Sequence, residues 1–463
     1  MFSTTTYQNR RNTLRENVPS GILLFMGNIE NPINFEHNTY PFRQDSTFLY
    51  YFGLSVPSLV ALIDVDENRE IIFGNEATID DLVWTGPQES ISKKAERVGV
   101  REVRPMGELA NYIKQAVTSD RTVHYLPAYQ SANKLQLSEL LQVNYNALTA
   151  SAPFIRAVAA QRSIKEDQEI VEIERAVAVS TEMHLLAMRL AKQGMKESEV
   201  VSAVQAFAAN KDCPLAYPPI ITIHGQILHN QVRSNALKSG DMVLIDAGAE
   251  TAMGYAGDLT RTFPVSAAFD SRQRAVYQIV LDALTAARAE LRPGTSFKSV
   301  HLHAAKVLVE GLKGIGLMKG DTEEAVRAHA HTMFFQCGLG HLMGLDVHDM
   351  EDLGEQYVGY TDEEPKDTLT FGLKSLRLGK ALEPGFVLTV EPGVYIIPEL
   401  IDHCKANKQY LDFINYDELE KFRDFGGIRL EDNFLITPNG HQLLGPDLIK
   451  SIDDVENYRA QYV

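Results

Sequence analysis

Gly240-Asp-Met-Val-Leu-Ile-Asp246-Ala-Gly248 lines up residue for residue with Gly385-Phe-Val-Leu-Thr-Val-Glu391-Pro-Gly393. Each reads as a turn glycine, a buried strand, a carboxylate six residues after that glycine, and a further glycine. Short apolar runs bounded by glycine are strand patterns. Two strand-borne acids in equivalent places suggest a duplicated half-domain with a pseudo-twofold axis. Two ordinary buried strands could match in this way by coincidence, so the surrounding acids carry the decision.

Asp258 follows Asp246 by twelve residues, with a turn-like stretch from Glu250 to Gly254 between them. A hairpin centred near Ala252 would set the two aspartates face to face across the ladder. Directly opposed side chains lie roughly 4.5–5.5 Å apart at Cβ, where like charges repel. Desolvation in a half-buried sheet adds to the penalty. A bound cation relieves it, and so does a shared proton.

Glu391 and Glu431 likewise interrupt apolar strand patterns, in LTVEPG and GGIRLED. Between the halves lies Gly338-Leu-Gly-His341-Leu-Met-Gly-Leu-Asp-Val-His348-Asp, whose glycines argue for backbone passing close to something. Any one of these acids could be an exposed strand end; four together, two of them in the repeated strands, point elsewhere. Four carboxylates and one imidazole form a hard donor set without thiolate. Two divalent cations would cancel the four charges, and paired metals are a known hydrolytic device. The donors admit Mn²⁺, Co²⁺, Fe²⁺ and Zn²⁺.

The chain has 463 residues, enough for two unequal domains. Its first ~150 residues alternate helix (Tyr7 to Asn17) with strands (Gly21 to Gly27, Ser58 to Val65, Glu70 to Phe73, Val123 to Leu126), a small α/β domain. Helical periodicity then runs from Glu166 to Lys192 and from Ser198 to about Asn210. Strands dominate from Pro218 to Pro264, helices from Arg272 to Gly316, and strands and loops from Phe334 onward. A net charge of −17, from 61 acids against 44 Lys plus Arg, speaks against nucleic acid as a partner. Three cysteines at no chelating spacing argue against a disulfide framework. No signal peptide and no apolar run of ~20 residues stand out, so a soluble cytoplasmic protein without membrane partner is expected.

Asp246, Asp258, His341, Glu391 and Glu431 sit in IDAGAE, GYAGDLTRTFPV, GHLMGLDVHD, LTVEPGVY and GGIRLED. In that order and context they resemble the Xaa-Pro aminopeptidase and prolidase family of dinuclear metallopeptidases. Tyr40-Pro-Phe-Arg-Gln-Asp-Ser46 is similar to the amino-terminal domain of aminopeptidase P. The resemblance implies an α+β pita-bread catalytic domain over residues 156–463, preceded by a smaller α/β domain over residues 1–155. It implies five metal ligands for two divalent ions, manganese first among them: Asp246 on one metal, Asp258 and Glu431 bridging, His341 and Glu391 on the second. Glu391 would be the general base for the bridging water, leaving a metal-bridging hydroxide to attack. His229, in ILHN, and His348 would line the proline site and stabilise the tetrahedral intermediate. Arg429 and Arg377 would stand at the substrate end. A dimer or tetramer follows by analogy with the family.

Two departures stand out. Cys337 occupies the place of a histidine found in many relatives, either as a small hydrophobe or as a soft extra ligand. The Asp246–Asp258 gap is one residue longer than in several relatives.

Other residues read as structural. His301 and His303 lie about 200° apart on a helical wheel, as do His329 and His331, so neither pair chelates. The Gly311 to Gly320 run lacks a phosphate-loop ending. Trp84 reads as a domain-packing anchor, and Arg43 and Asp45 as structural.

The expectation is therefore an Xaa-Pro aminopeptidase acting on proline-containing peptides. An Xaa-Pro dipeptidase is the nearest alternative, and a non-catalytic peptide-binding module, marked by lost ligands, a remote one.

Overall fold

The computed structural model describes residues 1–463. The chain divides into two compact units: residues 1–162 with 350–358, and residues 163–349 with 359–463. A cut after residue 155 would fall inside the helix Ala152–Ser163. The excursion at residues 350–358 belongs to the first unit, where Arg156 lies over the Tyr357 ring at 5.2 Å.

The first unit is a five-stranded mixed sheet. Its strands are β1 (Ile22–Met26), β2 (Val60–Asp64), β3 (Arg69–Phe73), β4 (Glu102–Arg104) and β5 (Val123–Tyr125), in the order β4-β3-β2-β1-β5. The inner strands β1 and β2 are buried almost throughout, as their continuous apolar runs require. One face packs Leu24, Leu62 and Phe73 against Leu109, Ile113 and Leu137 of flanking helices. Phe25 meets Tyr51, Phe52 and Phe154. Asp45 caps the helix Ser46–Phe52 by accepting from Phe48 N at 2.8 Å, a structural role. The reading of Trp84 as a packing anchor is corrected: it is 85% exposed, on a helix (Ile79–Thr85) with no buried residue.

In the second unit, β6 (Ile220–Thr222), β7 (Met242–Asp246) and β8 (Thr260–Pro264) form one antiparallel sheet. β9 (Val387–Val390) forms another with β12 (Asp432–Thr437) and β13 (Gly440–Leu443), and β10 (Gly393–Tyr395) pairs with β11 (Gly427–Arg429). The two repeated stretches become β7 and β9. Gly240 and Gly385 both enter their strands at φ +94°, a conformation L side chains rarely adopt. A bridge between Thr260 and Glu431 joins the halves. The helices Asp167–Leu190, Glu197–Asn210, Ser271–Ala289 and Phe297–Gly314 cover the unit with their apolar sides.

Arg261 holds β8 and β12 together from inside. It is fully buried and donates to the carbonyls of Thr260, Glu431, Leu448 and Ile449, and to Asp432 Oδ1 at 2.6 Å. Burial alone would raise the Asp432 carboxyl, but Arg261 and Lys450 hold it below its usual value. This is a buried charge network with its hydrogen bonds satisfied. It seats the backbone of Glu431.

His301 and His331 are buried, 6.3 Å apart between ring centroids, and His301 stacks on Phe335. His303 is exposed.

Candidate active site

Every acid singled out in the sequence reaches one cavity of about 350 Å³. It is lined by Asp246, Asp258, Glu391 and Glu431 together with His229, His341, His348, Arg377 and Arg429. Asp246 ends β7 and Asp258 precedes β8 by two residues. Glu391 follows β9, while Glu431 sits between β11 and β12. The glycine-rich loop carrying His341 runs alongside β9: Thr389 N donates to His341 O at 3.0 Å, and Glu391 N to Leu339 O at 2.7 Å. A Cβ at Gly340 would lie 2.0 Å from Thr389 O, so this close approach needs glycine there.

The expected direct opposition of Asp246 and Asp258 is corrected. Asp246 pairs with Thr260, and Glu250 bridges Ala256, so the hairpin is centred on Met253 and Asp258 faces Gly248. The turn closes with Gly254 N donating to Thr251 O at 2.8 Å, and Gly254 has φ +89°, which shifts the apex by one residue. The aspartates are diagonal neighbours on one face. Tyr217 Oη lies between them, donating to Asp246 Oδ1 at 2.6 Å and also within hydrogen-bond reach of Asp258 Oδ1.

Several other contacts order the site. Arg429 donates from Nε to Thr260 Oγ1 (3.2 Å), from one terminal nitrogen to Tyr395 Oη (3.0 Å) and from the other to Asp246 Oδ2. Thr260 Oγ1 donates to Glu431 Oε2 at 2.7 Å. His341 Nε2 lies 3.5 Å from Asp258 Oδ2 and 3.6 Å from Glu391 Oε1. Its ring meets His348 edge-on at 4.3 Å. Tyr217, Thr260 and Tyr395 were not singled out from sequence. Thr260 and Tyr395 fall inside quoted motifs, and Tyr217 in AYPP carries no signal beyond an aromatic before two prolines.

Burial pushes the carboxyls of Asp258, Glu391 and Glu431 well above the usual range, and the neighbouring acids push them further. Asp258 is 5% exposed and Glu431 2%. Glu431 Oε1 is a buried acceptor with no hydrogen-bond partner. One donor atom from each of Asp258, His341 and Glu431 lies within 4.8 Å of the others. Hard oxygens, one imidazole and an unpaired buried acceptor fit divalent metal ions. Cys337 lines the cavity with Sγ 3.8 Å from Tyr395 Oη, and burial pushes its thiol up to about 12. That favours a neutral apolar thiol over a thiolate ligand.

A carboxylate-rich cavity of this kind, built on two half-sheets, has the donor set of a metal-dependent hydrolase. The profile of metallopeptidase family M24 matches residues 171–438, and that of the aminopeptidase P N-terminal domain matches residues 7–124. The chain belongs to metallopeptidase family M24. Among its relatives, the Xaa-Pro aminopeptidase of Escherichia coli K12 is 30% identical, covering 98% of this chain and 97% of that one. Human Xaa-Pro dipeptidase is also 30% identical, covering 87% and 81%. The solved structure of Escherichia coli aminopeptidase P with the inhibitor Pro-Leu matches with a TM-score of 0.80 at 28% identity, covering 100% of this chain and 99% of that one. A zinc-substituted form of the same bacterial protein, in complex with product, matches equally well. The two-domain α+β architecture implied by the motifs is therefore the one observed. No helix is long and apolar enough to cross a membrane.

Proposed function

We propose that this chain is an Xaa-Pro aminopeptidase, releasing an amino-terminal residue whose carbonyl is joined to proline. The observation that carries this reading is the convergence of Asp246, Asp258, His341, Glu391 and Glu431 on one cavity, on a fold matched end to end by aminopeptidase P. In this reading those five residues hold two divalent ions, manganese first among the candidates. When bound, such ions supply Lewis acidity at the scissile carbonyl and ionise water near neutral pH.

The protein's own groups do the rest. Glu391 takes a proton from the attacking water and passes it toward the proline nitrogen. Burial lowers the His229 imidazole from its ordinary value, so it faces substrate neutral and can donate from one ring nitrogen. His348 works beside it, its orientation set by the edge-on contact with His341. Arg429 donates to Thr260, Tyr395 and Asp246 and so holds Asp246 in place, and with two N–H groups to spare it stands with Arg377 at the substrate end of the cavity. A bond preceding proline lacks the N–H that strand-forming peptidases need, and the ring fixes φ. A rigid pocket gripping the ring makes no use of that donor.

Human Xaa-Pro dipeptidase is as identical to this chain as the bacterial aminopeptidase, but the aminopeptidase aligns over more of both chains. That favours the aminopeptidase reading. All five ligand positions are filled, which speaks against a non-catalytic module. The three cysteines are unpaired, in keeping with a reducing cytoplasm, and a dimer or tetramer is the expected assembly. Rates on an Xaa-Pro-Yaa tripeptide and its Xaa-Pro dipeptide, with manganese-loaded protein, test the reading. Tripeptide turnover at or above the dipeptide rate is expected. Dipeptide turnover with negligible tripeptide turnover would reverse it in favour of the dipeptidase.

A further inference from the structure

Residues 223–235 form a thirteen-residue connection with no regular secondary structure, and it carries His229. Loops of this length without secondary structure are uncommon inside a compact unit. Leu228, His229 and Gln231 line the cavity, while Ile227 and Val232 are about half exposed. The two ends of this loop meet at one side chain. Glu197, the first residue of the helix Glu197–Asn210, is fully buried. Its Oε1 accepts from Ile223 N at 2.8 Å, and its Oε2 accepts from Asn235 Nδ2 at 2.9 Å and Asn235 N at 3.3 Å. Each oxygen serves a different foot of the loop.

We infer that Glu197 is a positioning residue for His229: it clamps both feet of the 223–235 loop and so sets where the imidazole stands against the proline side of the substrate. The inference rests on the proposed role of His229.

A buried carboxylate is expensive to desolvate. This one has three amide donors and the favourable end of a helix dipole, but no cationic partner. A neutral amide could not replace it, because its NH₂ would face an N–H at one of the two feet. The far foot has additional ties to the same helix start, Glu197 N to Asn235 O and Ser198 N to Arg233 O, both at 3.0 Å. The near foot reaches that helix through Oε1. Between the feet, Asn230 Nδ2 donates to Thr222 Oγ1 at 2.9 Å, and its Oδ1 accepts from Val232 N at 2.9 Å, so the residue next to His229 is pinned too. A Cβ at Gly225 would lie 2.4 Å from Gly427 O, so the near foot rests on β11, which ends in Arg429. Glu197 thereby ties to its helix a loop whose near foot rests on the strand that orders the acid cluster, and none of its own hydrogen bonds goes to a proposed metal ligand.

The test uses the full-length, manganese-loaded protein and its Glu197→Gln, His229→Ala and double variants. Glu197→Gln should speed amide hydrogen exchange across residues 223–235 while metal content is retained. It should also lower kcat/KM on an Xaa-Pro-Yaa tripeptide by about tenfold to a hundredfold. In the His229→Ala background the same substitution should have little further effect, because the group it positions is gone. Asn235→Ala, which removes one of the two donors to Oε2, should give a smaller change of the same kind and serves if Glu197→Gln does not fold. Unchanged loop exchange, or losses that simply multiply in the double variant, would overturn the clamp. Wild-type kinetics in His229→Ala would instead overturn the proposed role of His229, with loop exchange still deciding whether Glu197 holds the loop.

Discussion

The Thr260 hydroxyl donates to Glu431 Oε2 at 2.7 Å, across 171 residues of sequence and at the bridge that joins the two half-sheets. Thr260 Oγ1 in turn accepts from Arg429 Nε at 3.2 Å. It therefore orients one carboxylate of the cluster and leaves the other oxygen of Glu431 for an ion. Groups that orient ligands typically matter 10–100-fold for metal affinity. Thr260→Val should weaken manganese binding by about that factor, whereas Thr260→Ser should stay near wild type. Metal content after dialysis against a graded chelator measures it, and equal retention by the valine variant would refute the orienting role.

Asp258 and Glu431 are two of four acids whose charges oppose one another in a buried cavity. Without metal they destabilise the fold; with metal they are neutralised. Asp258→Asn should therefore raise the stability of the metal-free protein by about 1–3 kcal/mol. Wild type should gain about 2.7 kcal/mol for each bound ion at a hundredfold excess over Kd, and the variant should gain nothing and show no turnover. Melting curves with and without manganese separate these outcomes. A variant that melts lower than wild type in both conditions contradicts the electrostatic account.

Burial, and then the neighbouring ring, hold the His301 imidazole at about 3 and that of His331 at about 4. In the unfolded chain both return to roughly 6.5. Between those values the unfolded state binds more protons, so stability is intact above about pH 6.5 and declines as pH falls toward 4. His301→Phe keeps the stack on Phe335 without a titrating ring and should flatten this acid limb. Urea unfolding at pH 7 and pH 4.5 reads the slope; an unchanged slope counts against the assignment.

Cys337 faces the cavity, yet burial pushes its thiol up to about 12. At pH 8 almost none of it is thiolate, the form that reacts. Iodoacetamide at that pH should leave Cys337 unmodified and activity intact, and Cys337→Ala should keep its full complement of metal. Rapid alkylation with loss of activity would show that the thiol is ionised and a candidate ligand.

Much of the site was readable along the chain because an acid inside an apolar strand is so unfavourable that its presence demands a partner. Asp246, Asp258, Glu391 and Glu431 each broke such a pattern, and all four reach one cavity. Trp84 was misread because a large aromatic in a short helix looks the same whether its surroundings are protein or solvent. The hairpin register slipped by one because the apex depended on the left-handed Gly254, and several glycine-rich turns of that length would have fitted the same letters.

The repeated strands, their acids and the glycines that let backbone pass close to backbone are determined by local pattern and by the cost of burying charge. What only the tertiary structure decided is which groups hold those acids. Tyr217 between two aspartates, Thr260 beneath Glu431, Arg429 committed to Asp246 and Glu197 across the feet of a loop all act through hydrogen bonds between segments distant in sequence. A hydrogen bond fixes direction and distance within tenths of an ångström, and no periodicity in a linear chain encodes that until the strands have met.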